Sequence, residues 1–426
     1  MSEHYDVLIV GAGPAGLAAA DAAAGHGLRV GLLDAQATQG GQVWRHDVRR
    51  APAHAAAVAF EAVARHTNIA WLERTQVVAA ATDRLLVEQD GQSRSLHYDK
   101  LVLACGAREL LLPFPGWTLP GVLGAGGAQA LVKQGWPVMG KRVVVAGSGP
   151  LLLAAAATLR KHGAIVLGIY EQTSAGQLAA FAGQLWRWPM RAAQAVALRM
   201  ALAGVPYRAG AFVRAAHGDA QLRAAEVQIG NRIQRVDCDL LAVGYGLVPN
   251  AELAQLLDVA LDQSGRHPRI QVDENQRTNL ANVYAAGEVC GIGGRDTARI
   301  EGAIAGHAAA GDATAACALH SARQRARRFS ALLETYFALD SRVRGLADAD
   351  TIVCRCEDVP LRALSGYADA RAAKLATRCG MGACQGRICG TALAELGRFP
   401  RTGLRPPIFP ARLATLAEAD FASTPT

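Results

Sequence analysis

The chain has 426 residues, room for two or three domains of ordinary size, and 51% of them are hydrophobic against 19% charged, so much apolar surface must be covered within the fold or by another subunit. Its formal net charge of +8 comes with no run of interleaved basic and aromatic residues, which argues against a nucleic-acid reader. The most apolar stretches are broken by Gly, Pro or Arg, which argues against a membrane span. Nine cysteines behind an N-terminus with no export signal point to a reducing, cytoplasmic setting where thiols hold metal or fill core.

The first predicted unit, "YDVLIVGAGPAGLAAADAAAGHGLRVGLLDAQ", is strand, glycine turn, alanine-rich helix, strand and terminal acid. Gly11 makes the tight turn, Gly13 admits the backbone to a pyrophosphate, and Gly16 lets helix pack on strand. The helix N-terminus offers free N–H groups to the anion. Asp34, 23 residues after Gly11, is placed to accept from a ribose diol. A second such unit, "KRVVVAGSGPLLLAAAATLRKHGAIVLGIYEQ", repeats Gly147 and Gly149 but has Leu152 at the third glycine position, and closes on Glu171. Bound NAD or another adenine nucleotide, and a scaffold that has lost its nucleotide, are both compatible with that pattern.

Two units of this kind, the second inserted in the first, resemble the two-dinucleotide flavoprotein oxidoreductases. Three further stretches carry the resemblance. "GGQVWR", Gly40 to Arg45, is similar to the flavin-contacting loop and implies that Gly41 and Gln42 lie near the cofactor. "KLVLACGARE" is similar to the strand that returns to the flavin domain. "TNLANVYAAGEVCGIGGRDTARIEGAIAGHAAA", from Thr278, is similar to the C-terminal flavin segment, with Gly287 and with Glu288 in place of the family's usual Asp. The resemblance implies FAD at the first site. The C-x-x-C and C-x-x-x-x-C pairs of the disulfide reductases are missing beside these stretches, which demotes thiol–disulfide chemistry. Cys105, Cys238, Cys290 and Cys317 stand singly and are expected to be mostly small buried hydrophobes.

Next comes "HSARQRARRFSALLETYF", whose apolar spacing predicts a connecting helix with the arginine run on its polar face. The other five cysteines fall within residues 354–389, about a tenth of the chain's length. Cys354 and Cys356 form a C-x-C pair, Cys384 and Cys389 a C-x4-C pair, and a predicted helix between them lets the pairs converge on one centre. Glycines at 380, 382, 386 and 390 let N–H groups turn toward sulfur, which suits an iron–sulfur cluster, although four thiolates also suit zinc. Cys379 to Cys384 is C-x4-C as well, so spacing alone leaves the ligand set open.

The segment resembles the bacterioferritin-associated ferredoxin-like [2Fe-2S] domain, whose pattern falls on Cys354, Cys356, Cys384 and Cys389 and makes Cys379 a spare thiol. From residue 5 to 415 the chain resembles the α subunits of heteromeric flavin-dependent amine and imino-acid dehydrogenases, a group that includes opine, D-hydroxyproline and archaeal proline dehydrogenases and a hydrogen cyanide synthase subunit. That resemblance implies an electron-transfer role with no catalytic base in this chain. It also implies a β subunit similar to D-amino-acid oxidases, and leaves room for FMN at the subunit interface and for a small γ subunit. The expected fold is α/β: a flavin domain in two parts (1–120 and 251–320), an inserted NAD(P)-binding-like domain (121–250), a helical linker (321–349), the [2Fe-2S] domain (350–398) and a tail (399–426).

Overall fold

A computed structural model describes residues 3–400 and 404–418 of the chain. It divides into two compact units, one made of Met1–Arg108, Val248–Ser330 and Gly403–Thr426, the other of Glu109–Leu247 and Ala331–Thr402. Among the described residues no helix is long and apolar enough to cross a membrane.

The first unit is built on β1 (Glu3–Val10), α1 (Pro14–Ala24) and β2 (Val30–Leu33), followed by β3 (Ile69–Leu72), β4 (Thr75–Ala80), β5 (Arg84–Gln89) and β6 (Gln92–Leu103). The sheet runs in the order β3-β2-β1-β6-β5-β4, with the strand Val283–Ala285 also paired to β6. Its centre is parallel, with Val7 opposite Val30 and Leu8 opposite Leu101, whereas β4, β5 and the start of β6 form an antiparallel meander. Successive side chains of β1 point to opposite faces. Val7 and Ile9 therefore join α1 in one core, and Leu8 and Val10 join a second core on the other face.

On the α1 face the helix Gly294–Ala309 packs almost backbone to backbone. A Cβ on Gly302 would lie 2.0 Å from the carbonyl oxygen of Ala15, and one on Gly306 would lie 2.4 Å from that of Ala19. The alanine-rich sequence of α1 is thus a packing surface as well as a good helix former.

The second unit holds a five-stranded parallel sheet. Its strands are β7 (Val122–Gly124), β8 (Arg142–Gly147), β9 (Ile165–Glu171), β10 (Tyr207–Ala209) and β11 (Leu240–Gly244), in the order β10-β9-β8-β11-β7. The helix α2 (Leu151–Lys161) follows β8. Leu152, at the position of the missing third glycine, is fully buried in the core that α2 shares with Val143, Val145 and Ile169.

In the same unit the cysteine module is held by a small core of Val353, Val359, Leu361, Leu364, Ala373, Leu393 and Phe399. Between its cysteine segments lie a short 3-10 turn, Leu361–Leu364, and the helix Ala370–Thr377, capped by Asp369, rather than one long helix. The indole N–H of buried Trp117 donates to the carbonyl of Ile352, two residues before Cys354.

The Gly302 contact leads to a test. Gly302→Ala improves intrinsic helix propensity yet should lower stability by about 1–3 kcal/mol, because the two helices must separate or distort to admit the methyl group. A melting temperature equal to or above that of the wild type would contradict the close crossing.

Candidate nucleotide and thiol sites

At the first turn the glycine positions are required by main-chain crowding. Gly11 has a φ of +108°, and a Cβ on it would meet the Ala104 oxygen at 2.4 Å; a Cβ on Gly16 would lie 1.8 Å from the Gly11 oxygen. Gly13 is the opposite case: a Cβ there would meet nothing within 4 Å, so its outer face is open. It begins α1 without a side-chain cap, which leaves N–H groups of the first turn available to an anion. Asp34 Oδ2 accepts from Ala12 N at 2.8 Å and Oδ1 accepts from Gln36 N at 2.8 Å. Each oxygen keeps a further lone pair for a hydroxyl.

The loop after Gly40 folds back onto this turn. Gly40 N donates to Ala12 O at 2.8 Å, and a Cβ on Gly41 would lie 2.9 Å from the Gly13 Cα. Gln42 is exposed and its Oε1 accepts from Arg45 Nη2 at 2.7 Å. Arg45 Nε is buried with no partner, a donor beside Asp34 that a bound group can satisfy. The space over Gly13, the uncapped helix, the Asp34 carboxylate and this orphan donor together fit the ADP half of a dinucleotide.

The C-terminal segment reaches the same unit through Gly287, whose N–H donates to Glu301 Oε2 at 3.1 Å. Glu288 accepts from Gly294 N at the start of the helix Gly294–Ala309; burial pushes its carboxyl above the ordinary range, opposed by that hydrogen bond and by Arg327.

Glu301 itself escapes sequence reasoning. Its side chain is 0% exposed and faces two guanidinium groups, with Arg327 Nε at 2.6 Å, Arg327 Nη2 at 2.8 Å and Arg323 Nε at 3.3 Å. The arginine run, expected on the polar face of a connecting helix, does lie on the helix His320–Tyr336, but Arg323 and Arg327 point inward to this carboxylate. A lone acid among the small residues of "IEGAIAGHAAA", with arginines four apart downstream, is the one signal the sequence offers.

The second turn repeats the first with one change. Glu171 braces it as Asp34 does, accepting from Gly149 N at 2.7 Å and from Thr173 N at 3.0 Å. Glu171, however, is 0% exposed, with the Tyr207 hydroxyl 3.5 Å from Oε2, and burial pushes its carboxyl upward. Gly147 is pressed on β11, where a Cβ would lie 1.9 Å from the Gly244 oxygen.

All nine cysteines are free thiols. Cys238 and Cys290 are buried and Cys105 is half-buried, while Cys317 is exposed. Of the five module thiols, Cys354, Cys379 and Cys389 are buried with sulfur atoms within 4.8 Å of one another. Cys384 hydrogen-bonds Cys389 and also Cys356, which is exposed. The structure therefore draws Cys379, expected to be a spare, against Cys354 and Cys389, and sets the Cys384 and Cys356 pair beside them. Gly380 N donates to Cys354 Sγ at 3.4 Å, and the Gly386 and Ile388 amides face Cys384. Hydrogen bonds from Cys379 and Cys389 hold the Cys354 thiol far below its ordinary range. A Cβ on Gly382 would lie 2.2 Å from the Cys356 Cβ, so the two cysteine segments meet main chain to side chain. Inward amides and clustered sulfur fit a thiolate-bound metal centre.

Residues 5–311 match the pyridine nucleotide-disulphide oxidoreductase family. The chain belongs to that family. The chain is 34% identical over 421 residues to hydrogen cyanide synthase subunit HcnB of Pseudomonas aeruginosa, covering 90% of each protein. It is 29% identical over 467 residues to an opine oxidase subunit of Agrobacterium tumefaciens, covering 98% of this chain and 92% of that one. Among solved structures, L-proline dehydrogenase from P. horikoshii superposes with a TM-score of 0.72 at 20% identity, covering 98% of this chain and 81% of its own. The thioredoxin reductase of T. acidophilum gives 0.55 at 22%, covering 73% and 99%. At those identities the likeness is one of fold, and it is the fold of the two-dinucleotide flavoproteins. The family and fold make the chain a flavin-dependent oxidoreductase, related to proteins that are themselves named as subunits.

The Glu301 clamp has a measurable weight. Glu301→Gln leaves two guanidinium groups facing a neutral amide, and should cost about 3 kcal/mol of stability. A urea midpoint that falls with an unchanged slope would show it, and an unchanged midpoint would speak against the clamp.

Proposed function

We propose that this chain is the electron-transfer α subunit of a heteromeric flavin-dependent dehydrogenase. Its companion, a β subunit resembling D-amino-acid oxidases, oxidises an amine or imino acid of the D-hydroxyproline, proline or opine type. The observation that carries this reading is the alignment over nine-tenths of both chains with a protein named as one subunit of a hydrogen cyanide synthase. On the companion, a C–H and an N–H bond of the substrate are lost to give C=N, releasing two electrons and two protons.

In this chain Gly11, Gly13, Gly16 and Asp34 hold the adenine end of FAD, Gly41 and Gln42 lie along it with Arg45, and Gly287 and Glu288 meet its middle. The N–H groups at the start of α1 offset the pyrophosphate charge, and Asp34 orients the ribose diol through lone pairs that Ala12 and Gln36 leave unused. Cys354, Cys356, Cys384 and Cys389 hold a [2Fe-2S] cluster, with Gly380 N–H bonded to the Cys354 sulfur. Bound in these places, the flavin supplies exchange between two-electron and one-electron transfer, and the cluster supplies a one-electron relay. The role of the protein is to hold and insulate these groups.

Two experiments test the reading. Anaerobic addition of the imino or amino acid should bleach the flavin absorbance of the purified complex and leave the isolated chain unchanged; bleaching of the isolated chain would place the oxidation here and overturn the division of labour. For the thiols, Cys384→Ser should abolish bound iron and sulfide, whereas Cys379→Ser should retain both. The reverse pattern would exchange the roles of these two cysteines.

A further inference from the structure

The two glycine turns share a plan and differ in what covers them. Over Gly13 there is open space, whereas over Gly149 stands Phe337: a Cβ on Gly149 would lie 3.7 Å from Cγ and 3.8 Å from Cδ1 of that ring. The residues after Phe337 are fastened to the turn as well. Ser148 Oγ donates to the Phe337 carbonyl at 3.3 Å, Gln172 Nε2 donates to the Ala338 carbonyl at 2.9 Å, and Asp340 N donates to Gln172 Oε1 at 3.1 Å. Phe181 packs edge-on to the Phe337 ring, with centroids 5.0 Å apart. Ser148 and Gln172 are the very positions, one in the glycine turn and one just past the β9 acid, that a dinucleotide must approach.

The rest of that sheet edge is also taken. Glu171 is sealed under Tyr207, without the accessible surface a ribose diol requires. At the neighbouring helix, Ala125–Lys133, the amides of Gly126 and Gly127 donate to Glu109 at 2.6 and 2.8 Å, so an internal carboxylate occupies that N-terminus. A pyrophosphate arriving here meets the buried Glu171, the half-buried Glu109 and a phenyl ring where the first site presents space and an unpartnered arginine donor.

We propose that the second dinucleotide fold is closed by residues 337–340 of its own chain and takes neither NAD(H) nor NADP(H), so that reducing equivalents reach this protein from a donor other than a pyridine nucleotide. The segment acts as an internal ligand: its ring covers the pyrophosphate turn, and its main chain uses the polar groups that a dinucleotide would use. The inference stands on the second unit alone and does not depend on which substrate the companion oxidises.

Equilibrium dialysis of the full-length chain, loaded with flavin, against NADH and NADPH tests it, with retention read from nicotinamide absorbance and flavin content measured in the same samples. The wild type should retain neither nucleotide at millimolar concentration. Phe337→Gly combined with Gln172→Ala should raise retention at least about tenfold, because the fraction of molecules with an open turn scales the apparent affinity. Micromolar retention by the wild type would overturn the proposal. So would a variant that melts like the wild type, keeps its flavin and still excludes both nucleotides, since the fold and not the segment would then be the barrier. Hydrogen exchange supplies a readout that needs no variant: the Asp340 amide should exchange slowly in the wild type, and exchange at the rate of a free amide would contradict closure.

Discussion

At the first glycine turn three stretches of main chain pass so close that a methyl group on any of them would collide with a neighbouring carbonyl or Cα. Gly16 lies against the Gly11 carbonyl, Gly11 against Ala104, and Gly41 against Gly13. The absence of side chains brings the helix N-terminus down onto the sheet edge, and that closeness aims its N–H groups at one small volume. The same rule continues along α1, where the helix Gly294–Ala309 makes contact through glycine. The geometry of the segment from Gly287 through Glu288 to Gly294 is inherited from that crossing and is locked by the Glu301 clamp.

The two dinucleotide folds show how one sequence pattern serves two ends. Both brace the turn with an acid at the end of the second strand, and both leave that acid accepting from two backbone amides. At Asp34 the brace remains partly open. At Glu171 a tyrosine hydroxyl and complete burial convert it into core. Leu152 fits the second role, since a buried leucine adds apolar contact to a domain whose turn carries a phenyl ring. Local motif and local chemistry are alike; what differs comes from elsewhere in the chain.

That difference marks the limit of what is legible in the sequence. The glycine turns, the strands that flank them and the terminal acids follow from short-range rules, because hydrophobic run, turn and cap lie within a few dozen residues. Helical periodicity ranks the charges of Arg323 and Arg327 as outward, and only the fold brings Glu301 to them. Phe337 gives no signal at all: an aromatic at the end of a helix is ordinary, and its partner Gly149 is 188 residues away. Spacing leaves the place of Cys379 open and the resemblance to the ferredoxin-like domain sets it aside, while the structure puts its sulfur against Cys354 and Cys389, because a left-handed residue at Arg378 turns the chain into the module. Each of these depends on a contact between distant segments, which composition and spacing do not encode.

Trp117 turns one of these contacts into an instrument. Its indole is 6% exposed and bonded to the Ile352 carbonyl, on the strand that delivers the first module thiol. A sheltered, hydrogen-bonded indole emits at shorter wavelength than one in water, and its N–H seeks a partner when buried. Loosening of that strand therefore registers as a red shift in intrinsic emission, and the protein carries, without any label, its own gauge of how firmly the sulfur-bearing end is seated.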